Sequence, residues 1–195
     1  MQGNVQFSAN TQCMASAWTA YLKGFEDVAL ERIQHVMLPS EIELLSLDMI
    51  NHANGKHLVS IEQSPIFFGF HMAGLGRSRI VHSAIRKETA VAEPNKVIIS
   101  YIPHSSCEVM LMARQHYRVF NLYISPRQLY SQLGGKLDIA PAEIENIIEG
   151  TFRGPYVMAY NMSPQTRMII DQIIHSPYEG ELKRFFLEHK SMELI

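Results

Sequence analysis

The segment PIFFGFHMAG, residues 65–74, gives the clearest indication of the fold, because its side chains alternate with the two-residue period of a β-strand. In a strand, one face of this segment carries Ile66, Phe68, Phe70 and Met72. The other face carries Phe67, Gly69 and His71. Both faces are apolar enough to need cover from other parts of the protein. The segment therefore predicts a strand that is buried on both sides.

Similar runs surround this segment from about residue 40 to residue 124. They are short, rich in β-branched and aromatic residues, and bounded by Pro, Asn, Ser and Gly. In chain order they are HLVSIEQ, NKVIISYI, CEVMLMAR and HYRVFNLYIS. The earlier segment SEIELLSLDMI is also assigned as a strand, although Ser40 and Glu43 would fit a helix capping box. Closely spaced short strands predict an antiparallel β-barrel or sandwich.

Helix boundary signals replace this pattern after residue 124. Serine followed by proline is typical of a helix start, and glycine or a later proline of a helix end. These signals predict short helices over 126–134 and 141–149, then a helical hairpin over 163–195. The hairpin helices are predicted to begin with Ser163 and Ser176 as N-caps. The chain is thus predicted to be α+β, with a β-rich domain over residues 1–160, a cupin-like antiparallel barrel or sandwich, before the hairpin.

Properties of the whole chain exclude several classes of protein. Its 195 residues favour one domain, or one domain with a small appendage. A formal net charge of −2 argues against duplex binding by this chain. Cys13 and Cys107 have no zinc spacing, and nothing requires a disulfide, so we expect a reducing cytoplasm. The N-terminus lacks signal-peptide features, and no stretch approaches the roughly 18 apolar residues of a membrane span.

The residue types that perform chemistry are present, but their spacing does not support a catalytic or metal site. Nine histidines form no H-x-H and no H-E-x-x-H, although His71 and His82 could converge in space. No G-x-S-x-G occurs, and His104 precedes Cys107 in a turn, which is poor geometry for a nucleophile pair. We interpret Cys107 as a buried structural cysteine. The sequence predicts no cofactor, no metal and no catalysis.

The segment GLGRSRI, which contains Arg77 and Arg79, lacks the strand–loop–helix context of a Walker or dinucleotide loop. The two arginines would share one face of a strand, where they could meet an anion. We interpret them as solvated arginines at a sheet edge.

Aromatic and methionine side chains on neighbouring predicted strands suit an apolar or aromatic ligand. The predicted ligand-binding residues are Phe68, Phe70, His71, Tyr101, Met110, Met112 and Phe120. A plain hydrophobic core is the alternative interpretation of the same residues. A further alternative is that the opposite strand face, with His71, lines the cavity.

The C-terminal stretch MSPQTRMIIDQIIHSPYEGELKRFFLEHKSMELI resembles the end of the N-terminal regulatory half of AraC-family transcription regulators. It is most similar to the pyochelin-type subgroup, in which a Ser-Pro helix leads to a CPY-x-G elbow and a helix of the type KR-x-x-LE-x-K-x-x-EL. Here the elbow is residues 176–180, with Ser176 in place of the usual Cys. The helix keeps Lys183, Arg184, Leu187, Glu188, Lys190, Glu193 and Leu194. Further back, PIFFGFHMAGLGRSRI is similar to the family's strand–Gly–strand unit.

This resemblance covers roughly residues 40–195 and implies an effector-sensing and dimerisation domain. In the subgroup the effector is an iron–siderophore, and the tail leads into a DNA-binding domain of two helix-turn-helix units. No such residues follow Ile195, so we expect a fragment cut at the domain boundary or a regulator without this domain. DNA binding would then require that domain. The predicted homodimer interface comprises Leu182, Phe186, Leu187, Lys190 and Leu194.

Two other functions fit parts of the sequence. A cupin-type enzyme with a histidine-bound metal is one alternative, which a metal assay on the purified chain would detect. A ligand-free interaction module is the other, which a dry, filled barrel interior would support.

Overall fold

The structure, a computed structural model, describes residues 29–61, 65–82, 85–103, 105–136, 141–152 and 154–195. Within these residues ten strands form two antiparallel sheets, and four helices lie after the ninth strand. Cys13, His104 and the N-terminal segment tested for a signal peptide lie outside the described residues. The predicted α+β arrangement of antiparallel sheets followed by helices is confirmed.

The larger sheet contains, in spatial order, β1 (Ala29–Met37), β2 (Glu43–Asn51), β9 (Gln115–Ile124), β4 (Ile66–Ala73), β7 (Lys96–Tyr101) and β10 (Tyr156–Asn161). The smaller sheet contains β3 (Gly55–Ile61), β8 (Ser105–Leu111), β5 (Gly76–His82) and β6 (Ile85–Ala92). Because β5 pairs with both β8 and β6, Arg77 and Arg79 lie on an internal strand, and their interpretation as sheet-edge residues is wrong.

Two strands of the larger sheet lie outside residues 40–124, the region in which the sequence pattern predicted strands. β1 precedes residue 40 and pairs with β2 from Ala29 opposite Ile50 to Met37 opposite Glu43. β10 lies among the helices and pairs with β7. Both are edge strands, and most of β10 is exposed, so it lacks the buried apolar run that marks an internal strand. The segment SEIELLSLDMI does contain a strand, β2, as predicted.

The helices are α1 (Pro126–Gln132), α2 (Ala142–Ile148), α3 (Pro164–Ile174) and α4 (Gly180–Met192). Ser163 caps α3 as predicted, because its hydroxyl oxygen accepts a hydrogen bond from the Thr166 backbone N–H at 3.0 Å. The predicted start of α4 at Ser176 is wrong. Glu179, the residue before the helix, is extended, and the Tyr178 ring packs against Phe186 with ring centroids 5.1 Å apart. The helix therefore begins only at Gly180.

One face of the larger sheet and the hairpin helices form a single hydrophobic core. Phe68, Phe70 and Phe120 on β4 and β9 belong to the same buried cluster as the apolar stripe of α3. That stripe consists of Ile169, Ile170, Ile173 and Ile174, which all lie on one side of the helix at helical spacing. Leu187 adds α4 to this cluster. We call this side of the sheet the helix-side face.

The turn before β7 fixes the hairpin to the sheet through hydrogen bonds. Asn95 has a positive φ of 64°, a conformation that asparagine tolerates better than most residues. Its side-chain oxygen accepts from Arg167 on α3 at 2.6 Å, and its backbone N–H donates to the His71 carbonyl at 2.8 Å. No helix in the part of the chain that the structure describes is long and apolar enough to cross a membrane.

Candidate functional site

The larger sheet has a second face, which points away from the helices. On β2, β4, β7 and β9, residues that alternate with the helix-side core lie in register across this face. We call it the inter-sheet face; its residues are Glu43, Leu45, Leu47, Phe67, Gly69, His71, Ile98, Ser100, Val119, Asn121 and Tyr123. Four of them form a buried cluster separate from the helix-side core, which shows that this face is also covered.

Contacts around Tyr117 show that this face turns toward the smaller sheet. Tyr117 and Met49 form a buried cluster with Leu111 of β8. The Tyr117 hydroxyl accepts a hydrogen bond from the Met112 backbone N–H and donates one to the Leu75 carbonyl, both at 2.6 Å. Burial raises the pKa of Tyr117, so the phenol keeps the proton that it donates. The two sheets therefore close on each other at this end.

Glu43, Asn121 and Ser100 are buried polar residues of the inter-sheet face, and Asn51 is a further one at the end of β2 in the same alternation. Glu43 is 1% exposed, and its Oε1 lies 2.5 Å from Nε2 of His35 on β1. The other oxygen of the carboxylate, Oε2, has no hydrogen-bond partner among the described residues. Because buried polar atoms normally have partners, this oxygen of Glu43 is a candidate acceptor for a hydrogen bond from a ligand.

Aromatic rings lie beside these polar groups. Phe67 and Tyr123 face each other across β4 and β9, with ring centroids 5.0 Å apart. Gly69 is adjacent, and a Cβ atom there would lie 2.5 Å from the Phe67 ring and 3.5 Å from Oδ1 of Asn121. A side chain at position 69 would therefore displace the ring, which explains the glycine in the middle of a buried strand.

His71 lies on the same face, two residues along β4 from Gly69 and opposite Val119 of β9. Burial lowers the pKa of His71 to about 4, so the imidazole is neutral near pH 7. The neutral ring has one nitrogen that donates and one that accepts a hydrogen bond. The inter-sheet face thus combines a carboxylate, a carboxamide, a hydroxyl and a neutral imidazole with aromatic and aliphatic side chains.

The structure places most of the predicted ligand-binding residues elsewhere, and their role stays a prediction. Phe68, Phe70 and Phe120 are buried in the helix-side core, and Tyr101 packs against it. Met112 is exposed beyond the end of β8, while Met110 is half-buried and alternates with inward-facing Leu111. Of the seven predicted residues, His71 lies on the inter-sheet face, as the alternative prediction of the opposite strand face required.

The sequence prediction missed Glu43, Phe67, Asn121 and Tyr123. A signal for two of them was present, since Glu43 and Asn121 are polar residues with an apolar residue directly on either side. A polar residue in such a position requires either a partner or a ligand. Nothing in the sequence distinguished the two faces of β4, because both are apolar.

The predicted dimer residues on the hairpin differ in exposure. Leu182 is 59% exposed, whereas Leu187 is 3% exposed and packs into the core of its own chain. Phe186 and Leu194 pack partly against that core, and Lys190 donates to a Glu193 carboxylate oxygen at 2.7 Å. Phe185 is 74% exposed and was not among the predicted residues.

An open groove of about 770 Å³ runs between the two hairpin helices. Met168, Asp171 and His175 of α3 form one wall, and Phe186 and Lys190 of α4 form the other. Met168 is exposed, so the groove has an apolar edge on the outer surface of the hairpin.

Metal-binding side chains do not cluster in the described residues. No three His, Cys, Asp or Glu side chains within them are placed to hold a metal ion. Burial and the neighbouring Glu108 raise the pKa of Cys107 to about 11, so its thiol stays protonated at neutral pH.

Two antiparallel sheets with a helical hairpin packed on one of them define a cupin-like domain. Residues 30–195 match the family model described as the Regulatory protein PchR N-terminal domain. The chain belongs to this family, the N-terminal regulatory domains of AraC-type transcription regulators. No curated protein matches the chain.

Several solved structures are similar to this chain, and the first of them supports the same fold. An apo variant of ToxT from Vibrio cholerae is similar over 81% of this chain and 55% of its own, with 8% identity and a TM-score of 0.51. ToxT bound to an unsaturated fatty acid matches over 78% of this chain and 52% of its own, with 9% identity and a TM-score of 0.46. A vicilin from Capsicum annuum covers 72% of this chain and 42% of its own, with 14% identity and a TM-score of 0.33. The chain spans about half the length of the ToxT chains.

Proposed function

We propose that this chain is the effector-sensing and dimerisation part of an AraC-family transcription regulator. A small molecule binds at the inter-sheet face, and the helical hairpin passes its presence to a partner subunit and to a DNA-binding domain outside this chain. The chain has a regulatory role and catalyses no reaction. Its membership of a regulatory family supports this part of the proposal.

The observation that carries this proposal is that the same strands contribute to both faces of the larger sheet. On β9, Asn121 lies on the inter-sheet face, while its neighbours Phe120 and Leu122 pack in the helix-side core. A ligand that moves β9 or β2 must therefore change the packing beneath α3 and α4. This coupling requires two arrangements of the domain to which the ligand binds with different affinity.

A hydrogen-bonded route supplements this packing. The His71 carbonyl accepts from Asn95, and the Asn95 side chain accepts from Arg167 on α3. His71 lies on the inter-sheet face, so a ligand that shifts β4 also shifts the turn to which α3 is attached.

An iron–siderophore complex is the effector that we propose to test first, because the family and the C-terminal motifs resemble the pyochelin-type regulators. Thermal unfolding should be measured with ferric siderophores, aromatic acids and sugars. A ligand at 100 times its dissociation constant stabilises the folded protein by about 2.7 kcal/mol, which gives a measurable shift of the unfolding temperature.

A matched pair of variants places the response on the inter-sheet face. Asn121→Leu, a change on this face, should abolish the shift, whereas Asn146→Leu at an exposed position on α2 should preserve it. Equal responses in both variants, or no response of the wild-type protein to any ligand class, would contradict the proposal. Stoichiometric metal in protein purified without added metal would support the cupin-enzyme alternative instead.

A further inference from the structure

We propose that Glu43 binds a hydrogen-bond donor of the effector, so that the effector carries an amino or hydroxyl group next to an apolar or aromatic body. This inference rests on the proposed function, because it assumes that the effector occupies the inter-sheet face. It adds the chemical class of the ligand and the residue that recognises it.

The position of Glu43 explains why its carboxylate is buried. The chain turns tightly between β1 and β2, where Leu38 N–H donates to the Ile42 carbonyl at 2.9 Å and Glu41 adopts a φ of 60°. Glu43 is the first residue of β2 after this turn, and the alternation of the strand directs it to the inter-sheet face. Ile42 and Leu44 on either side pack in the helix-side core, so Glu43 cannot turn outward without breaking that packing.

The hydrogen bonding of Glu43 is incomplete. A carboxylate only accepts hydrogen bonds when ionised, and His35 contacts Oε1 alone. Oε2 has no partner among the described residues. Because a buried acceptor without a donor is costly, a ligand that supplies an N–H or O–H group at this point gains binding energy from it. Charge-assisted hydrogen bonds of this kind are stronger than neutral ones.

The neighbours of Glu43 determine the rest of the ligand. Tyr123 lies directly opposite Glu43 on β9, and the Phe67 ring packs on Tyr123 from β4, one strand further across the face. Leu45 continues the same face along β2. These side chains suit an apolar or aromatic body, whereas a ligand carboxylate near Glu43 would be repelled by the like charge.

Four probes that share a phenyl ring and a short chain test this chemistry on the purified protein: 2-phenylethylamine, 2-phenylethanol, ethylbenzene and phenylacetate. Dissociation constants would come from chemical-shift titration by NMR. We expect the amine and the alcohol to bind at least fivefold more tightly than ethylbenzene, and phenylacetate to bind weakest. Tightest binding by phenylacetate or by ethylbenzene would overturn the inference, and this comparison needs no variant.

The variant Glu43→Gln should weaken binding of the amine at least tenfold, because the amide carries no charge and can present a donor in place of Oε2. Glu188→Gln is the matched control, since Glu188 on α4 also has a buried Oε2 without a partner among the described residues but lies on the hairpin. Equal amine affinity in wild-type and Glu43→Gln protein would overturn the inference. A response to ferric pyochelin but to none of the four probes would also overturn it and leave the proposed function intact. No response to any small molecule would contradict both.

Discussion

At the scale of single residues, the contact between Gly74 and Tyr117 determines how the two sheets meet. Gly74 connects β4 to β5 and has a φ of 89°. A Cβ atom at this position would lie 2.4 Å from the Tyr117 ring. The ring therefore occupies space that only glycine leaves free, and its hydroxyl bonds to the backbone at Leu75 and Met112. One small residue thus allows one tyrosine to join the sheets.

Gly74→Ala should destabilise the protein by about 2–4 kcal/mol, since it adds a steric clash to the strain of a positive φ. Gly134→Ala is the matched control, because Gly134 has a φ of 63° but no atom within 4 Å of an added Cβ. The control should lose only about 1 kcal/mol. Urea unfolding of both variants measures the difference. Equal losses would show that Tyr117 does not fill the space beside Gly74.

His71 should make the stability of the protein depend on pH. Burial lowers its pKa to about 4, whereas the unfolded chain has the ordinary value of 6.5. Between these values the unfolded state binds a proton that the folded state excludes, so stability falls as the pH falls from 6.5 toward 4. His71 can change the free energy of unfolding by up to about 1.4 kcal/mol per pH unit.

Urea unfolding at pH 7.5, 6.5, 5.5 and 4.5 measures this effect. His71→Gln should remove part of the slope, while His175→Gln, at the exposed end of α3, should retain it. Lys96 is opposite His71 in the register of β7, and Val119 in that of β9, so no carboxylate is paired with His71 across these strands. An unchanged slope in His71→Gln would mean that the imidazole is solvated in the folded protein.

At the scale of elements, sequence periodicity identified strands and helices better than it identified their buried sides. The stripe of isoleucines on α3 is predicted by helical spacing and is buried. On α4 the spacing allows two stripes, one with Leu182 and Phe185 and one with Leu187 and Leu194. Both are apolar, so the sequence could not decide which packs inward. The tertiary fold selects the second stripe, in which the Ser191 hydroxyl donates to the Leu187 carbonyl at 2.7 Å.

The same limit applied to the candidate site. The alternation in PIFFGFHMAG correctly predicts β4, but its two apolar faces are equivalent in a single sequence. Only the placement of the helices makes Phe68 and Phe70 part of one core and leaves Phe67 and His71 on the other side. The edge strands β1 and β10 were missed for a related reason. An edge strand needs only one neighbour, so its sequence carries little pattern.

Leu187→Ala should reveal which stripe of α4 is buried. It removes a side chain from the core that α4 shares with the sheet, and we expect a loss of about 2–4 kcal/mol. Leu182→Ala, on the same helix, should change stability by less than about 0.5 kcal/mol. Chemical unfolding of the isolated chain gives both values. A comparable loss in the two variants would show that α4 is rotated from the arrangement described.

At the scale of the whole molecule, the helical hairpin packs on the larger sheet with one side and exposes apolar side chains on the other. Its inner side packs on the helix-side face, and its outer side exposes Leu182, Phe185 and Met168. Exposed side chains of this size on one element are typical of an interaction surface. A second copy of the same hairpin is the partner that we propose, because one symmetric contact covers the same patch on both subunits. The proposed interface therefore consists of the exposed stripe of α4 with Leu182 and Phe185, and it no longer includes the buried Leu187.

We expect the chain to form a dimer at micromolar concentration and the double variant Leu182→Glu with Phe185→Glu to be a monomer. Both side chains are exposed, so carboxylates there should weaken a dimer contact without disturbing the core beneath Leu187. Light scattering after size-exclusion chromatography measures the mass, and thermal unfolding checks that the variant is folded. Tyr130→Glu, which adds one carboxylate at an exposed position on α1, is the control and should remain a dimer. A monomeric wild-type chain would refute the homodimer, whereas a dimer that survives the double variant would place the interface outside the exposed stripe of α4.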